Sequence, residues 1–388
     1  MRITEIREMS VPLAGTISNA VVNFSAHRVS LVAVVTDHIR DGRPLTGVAF
    51  NSIGRHSQAG ILRERMIPRI LAADPDTFLD PATGALDPAR VLACAMTDEK
   101  PGGHGDRAAA SSAVELAVWD LLAKLGDEPA WRTISRHHGR PGATAGVPVY
   151  AAGGYYRAGT GIPELVREVE GYFDAHYEAV KIKVGGLDLA QDVERVAAVV
   201  EAAGSGARVA VDANGRFGTQ QAIDYGRVLE QFGLRWYEEP IDPLDLRGHR
   251  DLAEEYDGAL ATGENLFSVP DVKNLLDFGG LRPDRDLLQM DAGLSYGLTE
   301  YTQMIDLMET AGFPRSAAVP HGGHLINLHI VTGLELGGCE AYPGVFEPFG
   351  GYSEQCLLSD GLIHPSDAPG FGLEQKKGLD SWIKEVTR

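Results

Sequence analysis

Only three cysteines occur in the 388 residues of this sequence: Cys94, Cys339 and Cys356. Three is an odd number and the positions are far apart, so neither a disulfide framework nor a zinc site built from cysteines is predicted. Long apolar runs are also missing, and none approaches the roughly 20 residues that a membrane-spanning helix needs. Residues 1–5 lack the apolar segment of a signal peptide. These absences predict a protein of the reducing cytoplasm.

Basic residues are scarce, with 35 Lys and Arg against 54 Asp and Glu, a formal net charge of −19. Nucleic acids and anionic membranes bind basic faces, so neither is expected as a partner. Phosphate-binding glycine motifs are missing as well. The loop Lys100–Gly105 has no Gly-Lys-Ser/Thr ending, and Gly153-Gly154-Tyr155-Tyr156 stands where a dinucleotide fingerprint would be. The sequence therefore argues against a P-loop and a dinucleotide-binding fold.

Three short acidic motifs each follow an apolar run that is typical of a buried strand: Asp212-Ala213-Asn214-Gly215, Glu238-Glu239-Pro240 and Gly263-Glu264-Asn265. The spacing from Asp212 to Glu238 and from Glu238 to Glu264 is 26 residues in both cases, the length of one βα unit. Parallel strands would bring the three carboxylates to one edge, where such hard oxygen ligands suit Mg²⁺. Taken singly, the first motif is also good turn chemistry, and Glu239-Pro240 could be a solvated strand exit.

Strands and helices alternate from Pro148 onward, which predicts a (β/α) barrel over residues 145–348. An open doubly wound sheet is the competing interpretation. Residues 1–130, with strands first and helices after, predict a small α+β domain. Residues 349–388 are rich in loops and end in a short helix. We expect this tail to pack on the N-terminal domain.

The strand sequence Lys181-Ile182-Lys183 puts both lysines on the face opposite to Val180, Ile182 and Val184. If the apolar face packs on helices, both lysines point into the barrel mouth. Repulsion between the two ammonium groups is then expected to lower at least one lysine pKa and to make that lysine a usable base. The alternative is a pair of lysines at an exposed strand end, reaching into solvent.

Asp291 and His321 end the next two predicted strands. A carboxylate beside an imidazole fixes its tautomer and raises its basicity, so Lys183 and His321 could remove and deliver a proton from opposite sides of the barrel. The alternative for His321 is a loop histidine without a catalytic role, in Pro320-His321-Gly322-Gly323-His324. His324 is also a candidate metal ligand, but the pair of histidines in His-Gly-Gly-His lacks further Cys or His partners nearby, so we do not predict zinc there.

The ordered set Lys181-Ile182-Lys183, then Asp212, Glu238 and Glu264, then Asp291 with His321 resembles the enolase superfamily, in particular its mandelate racemase-like branch. The resemblance covers essentially the whole chain. It implies an α/β fold, a (β/α)7β modified TIM barrel whose α+β capping domain is formed by the N-terminal segment and the C-terminal tail. It also implies Mg²⁺ on the three carboxylates, an enediolate intermediate and a lysine or histidine base. A homo-oligomer, a dimer or larger, is expected.

Several stretches look like the tartrate-dehydrating members of that family, among them Tyr150–Tyr156, Glu99–Gly105 and Asp291–Gly297. This likeness implies a small-molecule carboxylate substrate. The residues that it places on the substrate are Asn19, Asn51, Lys100, Tyr155 or Tyr156, Lys181 and Glu340.

The implied reaction is the dehydration of a tartrate-like 2,3-dihydroxy acid to a 2-keto acid. Lys183 is the implied base, supported electrostatically by Lys181, and His321, oriented by Asp291, protonates the departing hydroxyl. A racemase or epimerase that transfers a proton on the same carbon is the alternative, since it needs the same lysine and histidine. A barrel without catalytic activity is disfavoured, because every expected ligand and both acid/base candidates are present.

Overall fold

The computed structural model describes residues 1–102, 104–157 and 159–388. The N-terminal part forms an antiparallel sheet in the order β1-β2-β3, made of β1 Ile3–Pro12, β2 Arg28–Arg40 and β3 Arg43–Phe50. Asp41 and Gly42 join β2 to β3 with positive φ angles of 51° and 75°. Two such residues in a row form the tight turn that suits the right-handed twist of a hairpin.

Helices follow the sheet: α1 Ala59–Ile61, α2 Ile67–Ala72, α3 Pro88–Ala95, α4 Gly105–Leu125 and α5 Ala130–His137. A π-helical turn, Leu62–Met66, joins α1 to α2. Helix α4 is buried along most of its length, and it lies directly against β3. A Cβ on Gly47 would stand 2.0 Å from the carbonyl oxygen of Ala117, so only glycine allows this close approach.

A barrel of parallel strands forms the rest of the fold: β4 Val147–Gly153, β5 Ala179–Lys183, β6 Val209–Asp212, β7 Trp236–Glu238, β8 Leu260–Thr262, β9 Leu287–Leu288 and β10 Cys339–Ala341. Its helices are α6 Ile162–Asp174, α7 Leu189–Ala203, α8 Thr219–Leu229, α9 Leu246–Glu255, α10 Val269–Phe278, α11 Leu298–Thr310 and α12 Leu325–Leu334. Pairing of β10 with β4 closes the barrel.

An irregular segment, residues 318–321, takes the place of one strand between β9 and β10. The N–H groups of Val319 and His321 donate to the carbonyls of Leu288 and Gln289, at 3.0 and 3.2 Å. Pro320 lies between them and has no N–H to donate, which interrupts regular pairing. With this segment counted as a strand, the described residues form the predicted (β/α)7β barrel, and the fold class is confirmed.

The C-terminal residues form the hairpin β11 Leu357–Ser359 and β12 Leu362–His364, then helix α13 Leu379–Val386. Strand β12 pairs antiparallel with the barrel strand β4. Helix α13 packs against β1 and β2, and the Arg7 guanidinium donates to the carbonyl of Val386 at 3.4 Å. The tail therefore contacts both the barrel and the N-terminal sheet.

Within the described ranges, no helix is long and apolar enough to cross a membrane.

Candidate active site

The predicted site residues meet at the C-terminal edge of the barrel sheet. In the strand register Lys183 pairs with Asp212, and Asp212 pairs with Glu238, so the three lie at the same height. Glu264 follows two residues after β8. A cavity of about 210 Å³ opens at this edge, and Lys183, Glu264 and His321 line it.

Both lysines point into the barrel, as the alternation predicts, while Val180 and Ile182 pack in the outer apolar layer with the helices. Lys181 is 1% exposed and Lys183 is 5% exposed, so the alternative of solvent-reaching lysines is wrong. The Nζ atom of Lys183 contacts Asp212. That of Lys181 contacts Glu238 and lies 2.9 Å from Oε1 of Glu340.

The expected fall of a lysine pKa is wrong for this structure. Burial by itself lowers the pKa of Lys183, but the negative charge of Asp212 outweighs it and raises that pKa. For Lys181 burial is likewise outweighed, by Glu238 and Glu340, and its pKa rises well above the usual value. The prediction took into account only the repulsion between the two ammonium groups. In the structure, each ammonium group contacts a carboxylate, and this attraction outweighs that repulsion.

Glu238 and Glu239 are both buried and serve different neighbours. Glu238 accepts hydrogen bonds from Nε1 of Trp236 and Nε2 of Gln289, each at 2.8 Å. Glu239 accepts from Nδ2 of Asn265 at 2.9 Å, and at 1% exposure it is not the solvated strand exit of the alternative interpretation. Its φ of 36° is a backbone conformation that side chains other than glycine rarely adopt, and such strain concentrates at active sites.

The charge balance of this acidic cluster fits a divalent cation. Burial raises the pKa of Glu238 to about 8 although Lys181 opposes it, and burial together with Glu264 raises that of Glu239 well above its usual value. The positive charge of the two lysines is therefore too small to keep both of these carboxyl groups ionised. A buried acceptor, Oδ1 of Asn214, has no hydrogen-bond partner among the described residues. Hard oxygen donors suit Mg²⁺, and a bound cation would supply the positive charge that these two acids need in order to ionise.

The carboxylates are not gathered into a ready ligand set. In the parts of the chain that the structure describes, no three His, Cys, Asp or Glu side chains are grouped to hold a metal ion. Asp212 and Glu238 instead pair with the lysine ammonium groups. The metal triad Asp212, Glu238 and Glu264 consequently stays a prediction, and binding of a cation there requires these ion pairs to loosen.

His321 and Asp291 form the predicted dyad, with Nδ1 of His321 3.0 Å from Oδ2 of Asp291. The Nε2 atom of His321 lies 3.9 Å from Glu264. Burial alone lowers the pKa of His321, but the charge of Glu264 and the hydrogen bond to Asp291 outweigh it and raise the pKa to about 9. A protonated imidazole on the cavity wall is suited to the role of a general acid.

Comparison with known proteins places the chain in a family. Residues 164–378 match the model of the family described as enolase C-terminal domain-like, which is more than half of the chain. The protein belongs to the enolase superfamily, in its mandelate racemase-like branch.

Similar proteins include sugar-acid dehydratases. The chain is 29% identical over 381 residues to the L-talarate/galactarate dehydratase of Salmonella typhimurium, covering 96% of this chain and 88% of that protein. It is 27% identical over 292 residues to the arabinonate dehydratase of Saccharolobus solfataricus, covering 72% and 73%. A crystal structure of the L-talarate dehydratase of Polaromonas sp. JS666, complexed with Mg and L-glucarate, superposes with a TM-score of 0.78 at 26% identity, covering 98% and 97%.

Three of the substrate contacts expected for this enolase superfamily member do line the cavity: Asn19, Tyr155 and Glu340. The ring of Tyr155 lies under the ammonium group of Lys183, 5.2 Å from its centroid. Glu340 accepts from the N–H of Gly322 at 2.9 Å through Oε2, and Lys181 helps to lower its pKa against the effect of burial.

The other expected contacts do not line the cavity. Lys181 is buried with its ammonium group on Glu238 and Glu340. Asn51 is fully buried and its Oδ1 accepts from the N–H of Ser30 at 2.7 Å, so its side chain serves the N-terminal sheet. Tyr156 points to the loop before α7, where its hydroxyl accepts from the N–H of Gly186 at 2.9 Å. Lys100 is exposed and does not line the cavity, and Gly103 of its loop lies outside the described residues. Loop position in the sequence did not determine where these side chains point.

Tyr342 and Arg55 also line the cavity, although the sequence patterns did not single them out. The hydroxyl of Tyr342 is 3.2 Å from Nε2 of His321. Tyr342 follows Glu340 by two residues at the end of β10, so strand alternation could have indicated it. Arg55 contacts Oδ1 of Asn265 and lies over the ring of Phe267, 5.1 Å from its centroid. No sequence spacing links it to the barrel.

Proposed function

We propose that this protein dehydrates a tartrate-like 2,3-dihydroxy acid to a 2-keto acid with Mg²⁺ as its cofactor. The observation that carries the proposal is one small cavity that holds a lysine, an imidazole paired with a carboxylate, and an excess of buried acid. The similarity to sugar-acid dehydratases over nearly the whole chain supports the same class of reaction. A Mg-bound, L-glucarate-bound structural relative supports the cofactor.

Asp212, Glu238 and Glu264 are the proposed metal ligands. When bound there, Mg²⁺ would attract the substrate carboxylate and stabilise the negative charge that develops on it when the neighbouring carbon loses its proton. Lys181 pairs with Glu238 and Glu340, and its positive charge is proposed to support the substrate carboxylate electrostatically.

The proton transfers are assigned to Lys183 and His321. Lys183 removes the proton from the carbon next to the carboxylate, which requires that Asp212 first release its ammonium group so that the lysine can become neutral. His321 donates the proton on Nε2 to the hydroxyl of the next carbon, which leaves as water. The resulting enol converts to the 2-keto acid, so the net change is the loss of one water.

The cavity favours a substrate with a carboxylate at each end. Its volume of about 210 Å³ suits a short acid, and Arg55 adds a cation on the wall formed by the N-terminal domain. A guanidinium held in place by Asn265 and Phe267 is suited to bind a second carboxylate through paired hydrogen bonds. Tyr155 and Asn19 line the same cavity as Arg55 and Lys183.

Racemisation or epimerisation remains the second candidate, because Lys183 and His321 line the same cavity and could serve opposite faces of one carbon. The two reactions differ in whether a β-hydroxyl leaves. Both are tested by incubating the protein with Mg²⁺ and a panel of tartrates and hexonic acids in D₂O. Keto acids are detected with semicarbazide and inversion by polarimetry.

We expect keto acid from at least one dihydroxy acid, and loss of more than 1,000-fold in turnover for Lys183→Ala and His321→Asn. The exposed Lys273 on α10 provides a matched control, because Lys273→Ala removes an ammonium group that pairs with Asp277 and does not line the cavity. Deuterium exchange with inversion, but without formation of a keto acid, would show that the protein is an epimerase and not a dehydratase. Near-normal dehydration by Lys183→Ala would show that the base is misassigned.

A further inference from the structure

Ser52, at the end of the N-terminal sheet, reaches into the barrel and touches the dyad. Its Oγ lies 2.5 Å from Oδ2 of Asp291, the same oxygen that faces Nδ1 of His321. It also lies 2.9 Å from Nε2 of His324. Asp291, His321 and His324 are all buried, and Ser52 is 0% exposed. The network links the second histidine of the His-Gly-Gly-His motif to the first through a serine and a carboxylate.

The direction of each hydrogen bond follows from what its neighbours can donate. Nδ1 of His324 faces the backbone N–H of Asn327 at 3.4 Å and accepts from it, as the N-cap of α12. A neutral His324 then carries its hydrogen on Nε2 and donates it to Ser52. The Ser52 hydroxyl is left with one hydrogen, which it donates to Asp291. Asp291 therefore accepts from both Ser52 and His321 through one oxygen.

The backbone around this network is packed too closely for any side chain but hydrogen. A Cβ on Gly322 would lie 2.7 Å from Oδ2 of Asp291 and 2.8 Å from Oγ of Ser52, and Gly322 has a φ of 97°. A Cβ on Gly293 would lie 2.7 Å from Cβ of Ser52. Asp291 has its other oxygen fixed by the N–H of Gly293 at 2.8 Å. The carboxylate is thus held from both sides.

We propose that Ser52 and His324 are positioning residues for the His321–Asp291 pair: the chain His324–Ser52–Asp291 fixes the carboxylate so that it holds His321 with its Nε2 toward the cavity. The inference rests on the proposed function, because it assigns a role in the same proton transfer. It gives the N-terminal domain a part in catalysis, since Ser52 completes the network only when that domain is seated on the barrel. The N–H of Ser52 donates to the carbonyl of Gly293 at 3.2 Å and so holds the N-terminal domain on the barrel at this point.

Ser112 offers a matched control for this serine. It is buried in α4, and its Oγ donates to the same Gly293 carbonyl at 2.7 Å. It therefore ties the N-terminal domain to the same loop without touching Asp291. Ser112→Ala removes one hydrogen bond between the domains and leaves the dyad untouched. Ser52→Ala keeps the backbone bond to Gly293 and removes the hydroxyl that faces Asp291.

The test compares Ser52→Ala, His324→Leu, His324→Gln and Ser112→Ala in the full-length protein. We expect kcat for dehydration to fall about 10- to 100-fold in Ser52→Ala and His324→Leu, as when an outer partner of a functional ligand is removed, with KM within about twofold. His324→Gln keeps a donor for Ser52 and should recover most of the loss. Ser112→Ala should keep kcat within about twofold. Equal kcat values for Ser52→Ala and Ser112→Ala would overturn the proposal.

A second readout does not depend on turnover. In protein labelled with ¹⁵N-histidine and free of Mg²⁺, the ring nitrogens of His324 should show hydrogen on Nε2, and those of His321 should shift in Ser52→Ala but not in Ser112→Ala. His321→Gln and His324→Gln identify the signals. A hydrogen on Nδ1 of His324, or unchanged His321 signals in Ser52→Ala, would refute the network. Absence of dehydration in the wild-type protein would refute the proposed function alone, and these spectra would still decide the network.

Discussion

His249, on α9, should make the protein sensitive to mild acid. It is 0% exposed, and neither of its ring nitrogens has a hydrogen-bond partner among the described residues. Burial lowers its pKa from 6.5 to about 4, although Asp245 and Asp242 act in the opposite direction. Since the unfolded chain binds this proton more readily than the folded one, stability should be retained above pH 6.5 and lost as the pH falls toward 4.

The size of the effect follows from the two pKa values. Between pH 7 and pH 5 a single histidine with these values costs about 2 kcal/mol of unfolding free energy. In His249→Leu this loss disappears, and two polar atoms without partners are replaced by an apolar side chain of similar size. We therefore expect the variant to match the wild type within about 1 kcal/mol at pH 7 and to exceed it by about 2 kcal/mol at pH 5.

Equilibrium guanidinium unfolding at pH 7, 6 and 5 measures this difference. Leu252→Ala is the control, because Leu252 is equally buried on the same helix and its truncation costs about 2–5 kcal/mol at every pH. Its stability curve should run parallel to that of the wild type. A His249→Leu curve that is also parallel to the wild type would refute the assignment of a buried neutral imidazole.

Three further predictions concern the domain contact, the cavity and the metal. Glu115→Ala should lower the unfolding free energy by about 3–5 kcal/mol in guanidinium titrations, because this buried carboxylate accepts from the N–H groups of Leu298 and Thr299, at 2.9 and 3.0 Å, at the start of α11. Arg55→Ala should raise KM for a dicarboxylate about 10- to 100-fold in steady-state assays, and should change KM for a monocarboxylate far less. Mg²⁺ at 100 times its Kd should stabilise the protein by about 2.7 kcal/mol in thermal unfolding, and Asp212→Asn should abolish this gain.

Each of these has its own control. Glu115→Gln retains an oxygen acceptor and should cost less than Glu115→Ala; equal losses would mean that packing, not hydrogen bonding, is responsible. Arg63→Ala is the control for Arg55→Ala, because Arg63 is exposed and pairs with Glu8. A similar change of KM in Arg63→Ala would contradict the assignment of Arg55 to the cavity. The exposed Asp224 is the control for Asp212: stabilisation by Mg²⁺ should persist in Asp224→Asn and be reversed by EDTA.

The 26-residue spacing of Asp212, Glu238 and Glu264 could be interpreted from the sequence, because a βα unit has a narrow range of lengths and parallel strands end at the same edge. Alternation within a strand likewise determined that Lys181 and Lys183 share the inward face. These are local rules, which is why the barrel and the gathering of Lys183, Glu264 and His321 around one cavity followed from them.

Other features depend on residues far apart in the chain. The lysine pKa values are raised because the charges of carboxylates on other strands of the barrel outweigh the effect of burial on each ammonium group. Asn51 and Tyr156 stand in promising loops, yet each turns its polar atoms to a backbone group that only the folded chain brings near.

Strand periodicity and turn chemistry act over a few residues, so the sequence alone determined the barrel, its polar edge and the order of its acids and bases. Which charges face each other depends on how neighbouring barrel strands are placed, as for Lys183 and Asp212. Which side chains complete the cavity also depends on how the N-terminal domain packs on the barrel. Ser52 meets Asp291, 239 positions further along the chain, and Arg55 meets Asn265. Electrostatic interactions act through space, and only the tertiary structure decided these distances.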